Sequence, residues 1–139
     1  MADIGKPLPR PNEDSIVYWK GCKDHKLLMQ QCQACRHVRF YPRIVCPACG
    51  RTETAWIEAS GKAKVYSYTT VYRAPSAAFK DDVPYVLALV DLDEGPRMMT
   101  NLVDCDTVPL SVGMSVSVVF DDVSDEISLP KFRPVKGVA

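Results

Sequence analysis

Two Cys-x-x-Cys pairs, Cys32-Gln-Ala-Cys35 and Cys46-Pro-Ala-Cys49, stand ten residues apart in this chain. Four thiolates around one tetrahedral ion require two short knuckles that a hairpin brings together. Each two-residue gap lets backbone amides turn toward the sulfurs. The intervening segment, with Tyr41-Pro42-Arg43 near its middle, can form the hairpin. Gly50, directly after the second pair, suits the positive φ that often follows a knuckle. The segment is shorter than the about 15–20 residues of a common zinc pattern, a difference that a trimmed hairpin absorbs.

Other chemistries of paired cysteines fit less well. A thioredoxin-like dithiol needs a surrounding βαβ pattern, and neither pair has one. The N-terminal MADIGKPLPRPNED lacks the apolar core of a signal peptide, and the longest apolar run, Tyr85 to Val90, is far short of a membrane span. The expectation is a cytoplasmic chain whose thiols stay reduced. Zn²⁺ is favoured over iron because nothing nearby suggests electron transfer, although thiolate spacing alone does not separate the two. With cysteine at all four positions no ligand is missing for substrate, so the expected zinc is structural. Cys22 and Cys105 read as buried or partly buried thiols, His25 as solvent-facing, and His37 as a weaker competitor for the metal.

Formal net charge is zero over 139 residues. Residues 1–51 carry nine Lys/Arg against four Asp/Glu, and residues 52–139 carry eight against thirteen, formally +5 and −5. That junction marks two modules. The prolines at 7, 9 and 11 make an extended arm, and Asn12 is placed to cap a short amphipathic helix over roughly 13–25 with Ile16 and Trp19 on one face. Leu27-Leu28-Met29 leads as a strand into the cysteine segment. The expected boundaries are an arm and helix over 1–30, a ribbon over 31–51 and a β-module over 52–139.

After Gly50 the periodicity is two. Short strands are expected at 54–58, 62–72, 85–92, 97–103, 114–120 and 127–132. Over 62–72, strict alternation puts Ala63, Val65, Ser67, Thr69 and Val71 on one face and Lys64, Tyr66, Tyr68, Thr70 and Tyr72 on the other. About five such strands without a long helix between them fit an OB-type barrel, so the chain is expected to be mainly β.

Catalytic signatures are missing from the sequence. It has two histidines, both before the β-module, and no nucleophile elbow, phosphate loop or dinucleotide fingerprint. Asp91, Asp93, Glu94 and the acids over 121–126 read as solvated turn residues. An alternative is a single-stranded nucleic-acid module, with Tyr66, Tyr68 and Tyr72 stacking bases. The acidic balance of the β-module opposes it, because a polyanion groove needs phosphate-neutralising charge.

In this order, YWKGCKDHKLLMQQCQAC, FYPRIVCPACG, WIEASGKAKVYSYTTVYR, VPYVLALVDLDEGPRMMTNLV and LSVGMSVSVVF with LPKFRP resemble a family of zinc-ribbon plus OB-fold proteins associated with acyl-CoA enzymes. One departure is Arg36, where the family often has Gly after the first pair. The resemblance implies a rubredoxin-like zinc ribbon held by Cys32, Cys35, Cys46 and Cys49. It also implies a non-catalytic subunit that pairs with thiolase-like enzymes, acyltransferases, aldolases or hydratases. From the residues themselves, because aromatic and Arg side chains are the usual interface anchors, Trp19, Arg36, Arg39 and Arg43 are expected to contact the partner, and Arg73, Phe79 and Lys80 to lie near the acyl-CoA, with Arg73 or Lys80 facing phosphate.

Overall fold

A computed structural model describes residues 6–105 and 109–135. It opens with the extended arm and one helix, α1, Ile16–Lys23. The helix is shorter than the 13–25 expected from sequence. Asn12 Oδ1 accepts the Ser15 N–H at 3.0 Å, and the Asn12 carbonyl accepts the Ile16 N–H at 2.9 Å. Residues 12–15 are therefore spent on a turn before the helix, a local competition that asparagine side chains often win. Tyr18, Trp19 and Cys22 form the buried side of α1.

Three short strands follow: β1 Leu28–Cys32, β2 Val38–Arg39 and β3 Thr54–Glu58. They form one antiparallel sheet in the order β2-β1-β3. Leu28 pairs with Glu58 and Cys32 with Thr54, so the sheet crosses the divisions placed by sequence at 30/31 and 51/52. The reason lies in hydrogen bonding. As the central strand, β1 has two residues of one edge paired by β2, and β3 satisfies its other edge along the whole length.

The remaining strands are β4 Lys62–Val71, β5 Tyr85–Leu92, β6 Arg97–Leu102, β7 Ser115–Asp122 and β8 Ser128–Pro134. They close into a five-stranded barrel in the order β4-β5-β6-β8-β7, the OB-type architecture expected. The strict alternation expected along β4 does not hold. A register shift between Val65 and Ser67 adds one residue, so Val65 faces Val90 while Tyr68 faces Ala88. Bulges of this kind let a long strand bend around a barrel. The barrel interior is filled by Val65, Val90, Met98, Leu102, Val116 and Phe132, each about 4 % exposed or less. Burying a side chain of this size contributes about 1.5–3 kcal/mol. Tyr18, Leu27 and Met29 belong to the same cluster, so helix and ribbon sheet pack on the barrel as one core.

Candidate metal centre and the ribbon around it

The two knuckles have the same backbone pattern. Cys32 N–H donates to the His37 carbonyl at 2.9 Å and Cys46 N–H to that of Arg51 at 2.8 Å. The Cys32 carbonyl accepts the Arg36 N–H, and the Cys46 carbonyl accepts the Gly50 N–H, both at 2.9 Å. Both turns need a left-handed residue after the second cysteine, and Arg36 (φ 68) and Gly50 (φ 81) supply it.

This geometry converges the four sulfurs. Cys32 and Cys49 Sγ lie 3.6 Å apart, Cys35 and Cys46 Sγ 3.7 Å, and all four within 4.8 Å of one another. A tetrahedral ion with Zn–S bonds of about 2.3 Å sets its sulfurs about 3.8 Å apart, so the donor set fits zinc. No other group of three or more potential ligands converges among the described residues, and the exposed His37 is outside the cluster.

The electrostatics point the same way. Amide donors from Cys35 and Ala34 pull the Cys32 thiol down to about 6. Burial pushes Cys46 up, yet the Cys49 and Ala48 amides overcome it and its pKa falls. At Cys49 the Arg51 amide lowers the value, but burial and the three facing sulfurs raise it to about 12. The cage favours some thiolates and resists collecting four, the conflict that a bound dication resolves.

Between the knuckles, residues 40–45 have no regular structure and are tied down by buried side chains. Gln30 Oε1 accepts the Arg43 N–H at 2.7 Å. Arg39 Nη2 donates to the Arg43 carbonyl at 2.8 Å and to Thr54 Oγ1 at 2.7 Å. Trp19 Nε1 donates to the Tyr41 hydroxyl at 3.0 Å. The loop therefore hangs from α1, β1 and β2.

Four residues assigned by sequence to partner contact thus separate into two kinds. Arg36 and Arg43 are exposed. Trp19 and Arg39 are buried, with 9 % and 4 % exposure, and their donors hold the loop. A tryptophan on an amphipathic helix and an arginine in a basic run look like surface anchors in sequence; here the core claims one and the loop backbone the other. Beside them the structure places Gln30, which is buried, and Tyr41, Ile44 and Val45, which are exposed. Ile44-Val45 is an apolar pair in a stretch with no strand or helix periodicity.

The second set, Arg73, Phe79 and Lys80, lies on the loop between β4 and β5. Arg73 and Lys80 are exposed and Phe79 half-buried. The Lys6 ammonium lies 5.6 Å above the Phe79 ring and 2.6 Å from Asp82, so the arm is pinned to this loop. On the barrel, the Arg97 guanidinium sits 3.3 Å above the Tyr66 ring and binds Asp91 at 2.6 Å, which covers one face on which a base would stack. His25 is exposed and bonds Asp122 at 2.9 Å, while Cys22 is fully buried and Cys105 half-buried.

Comparison with known proteins matches this architecture. Residues 19–55 match the model described as ChsH2, rubredoxin-like zinc ribbon domain, and residues 56–121 that of the ChsH2 C-terminal OB-fold domain. A DUF35 domain-containing scaffold protein of Methanocaldococcus jannaschii is 38% identical over 78% of this chain and 77% of its own length. The chain belongs to the DUF35 scaffold family. A chain of the solved Ltp2-ChsH2(DUF35) aldolase is 38% identical, with a TM-score of 0.81 over 91% of this protein and 98% of that chain. A probable enoyl-CoA hydratase alpha subunit of Thermomonospora curvata is 38% identical over 93% of this chain, which spans 40% of that protein's length. In this DUF35 scaffold the zinc-ribbon and OB-fold matches are consecutive. Among the described residues no helix is long and apolar enough to cross a membrane.

Proposed function

We propose that this chain is the zinc-ribbon scaffold subunit of an acyl-CoA-processing complex, docking on a thiolase-like enzyme that houses the bond-making chemistry. Zinc held by Cys32, Cys35, Cys46 and Cys49 fastens the ribbon, and the ribbon with α1 faces the partner. The observation that carries this reading is the 38% identity with nearly the whole of a chain from an aldolase described as a pairing of Ltp2 with ChsH2(DUF35). The loop with Arg73, Phe79 and Lys80 lies toward the acyl-CoA, its two exposed cations suited to phosphate.

The test is co-expression with the thiolase-like protein of the same genome, followed by size-exclusion chromatography with light scattering. A stable hetero-complex is the expected result, and two separate peaks at micromolar concentration contradict the proposal. Within the complex, Arg73→Glu with Lys80→Glu is expected to raise KM for acyl-CoA several-fold. An unchanged KM removes the acyl-CoA contact and leaves the scaffold role standing.

A further inference from the structure

The loop between the knuckles exposes its largest apolar side chains. Ile44 is 59% exposed, Val45 49% and Tyr41 39%, although beneath them Gln30 and Arg39 hold the Arg43 backbone and Trp19 holds the Tyr41 hydroxyl. Burying polar side chains such as Gln30 and Arg39 is costly unless their bonds are satisfied. Arg39 keeps Nε and Nη1 buried without a partner, so the loop is held at a cost that packing alone does not require. A rigid loop that presents apolar side chains to water loses little entropy when they are covered.

Charge defines what covers them. Between Asp24 and Glu53 the sequence has no carboxylate side chain. Arg36 and Arg43 lie within the segment between the knuckles and Arg51 just after it; all three are exposed, and none is ion-paired among the described residues. An apolar tip flanked in sequence by unpaired guanidinium groups is complementary to an apolar socket with an acidic rim.

We infer that Tyr41, Ile44 and Val45 form a preorganised docking knob that inserts into an apolar socket on the partner enzyme, with Arg36, Arg43 and Arg51 pairing with Asp or Glu at its rim. The inference rests on the scaffold role proposed above and assigns it a surface. The metal holds the knob from both ends, since Cys35 and Cys46 flank it in sequence and meet at 3.7 Å.

The experiment measures affinity of the zinc-loaded chain for the thiolase-like protein of the same genome by calorimetry, with zinc content checked for every variant. Ile44→Asp with Val45→Asp is expected to weaken binding at least about 30-fold, as for a central interface anchor, while Ile44→Leu stays within about threefold of wild type. Should the double variant lose zinc, Ile44→Ala with Val45→Ala takes its place, with about tenfold weakening expected. Arg36→Glu with Arg43→Glu is expected to weaken binding about tenfold at low salt and less at high salt. A wild-type complex indifferent to the knob variants overturns the inference and leaves the scaffold role intact. Failure of wild type to bind overturns that role and the inference with it. Knob variants that instead abolish self-association, or binding to phosphatidylserine vesicles or single-stranded DNA, while the enzyme complex persists, assign the knob another occupant and also overturn it.

Discussion

Arg36 and Gly50 occupy the same place after the two knuckles, with φ of 68° and 81°, but only one of them is a glycine. A side chain in the left-handed region costs on the order of 1–2 kcal/mol. Arg36→Gly relieves that cost and returns part of it as unfolded-state entropy, so stability should rise by up to about 1 kcal/mol. Gly50→Ala imposes the same cost and should lower stability by about 1 kcal/mol, because nothing lies within 4 Å of an added Cβ. Gly61 has the same φ of +81°, but a Cβ there would meet Val118 Cγ1 at 2.5 Å, so Gly61→Ala should cost more than Gly50→Ala. Urea midpoints of the three variants check the order. Arg36→Gly should also weaken partner binding while it stabilises the ribbon.

Metal content is the second prediction. The purified chain should hold one zinc, and serine at Cys32, Cys35, Cys46 or Cys49 should lose it. Zinc binding to an isolated finger-sized module is worth about 10–16 kcal/mol at neutral pH, so chelation should unfold the ribbon. Amide exchange of residues 30–56 before and after chelation reads this out. Protection that survives metal removal would mean that the β2-β1-β3 sheet holds the ribbon without the ion.

The posts beneath the loop provide a third. Trp19→Phe keeps an aromatic ring in the core and deletes the donor to Tyr41, with an expected loss of about 1 kcal/mol. Gln30→Leu strands the Arg43 N–H and should cost about 1–3 kcal/mol. Both should weaken partner binding without contacting the partner. Equal zinc content and lower affinity, measured on the same samples, is the outcome that separates positioning from general unfolding.

Acid stability offers a fourth. The Ser128 hydroxyl and then His25 hold the Asp122 carboxyl below the ordinary range, and Lys23 adds to it. A folded pKa below the unfolded value of about 3.9 gives stability that is present above that value and lost as pH falls through the folded one. Asp122→Asn should therefore destabilise the protein at pH 7, and the gap between variant and wild type should shrink below about pH 3.9. Subtracting paired urea curves at pH 7 and pH 3 cancels the titration of groups that do not touch Asp122. A constant gap contradicts the assignment.

Much of this architecture was legible in the residues. Ligand spacing and the demand for tetrahedral sulfur made the ribbon readable at Cys32 to Cys49, and period-two patterning made the 85–92/97–103 hairpin readable. Features set by non-local contacts were not. The shift between Val65 and Ser67 follows from barrel closure, and the membership of Thr54–Glu58 in the ribbon sheet follows from the free edge of β1. Trp19 and Arg39 show the same limit at the site, because composition gives the chemistry of a side chain and packing decides whether solvent reaches it. The exposure of Ile44 and Val45 was not legible for the same reason: an apolar pair without strand or helix periodicity does not say whether packing covers it.

The central claim is a division of labour between this metal-clamped scaffold and a partner enzyme. It is tested most directly by assaying acyl-CoA carbon–carbon bond cleavage or formation with this chain alone, its thiolase-like partner alone, and the two together. The account predicts no turnover from the isolated zinc-loaded chain and robust turnover from the mixture. Turnover by this chain alone, abolished by changing one of its own side chains, would contradict it.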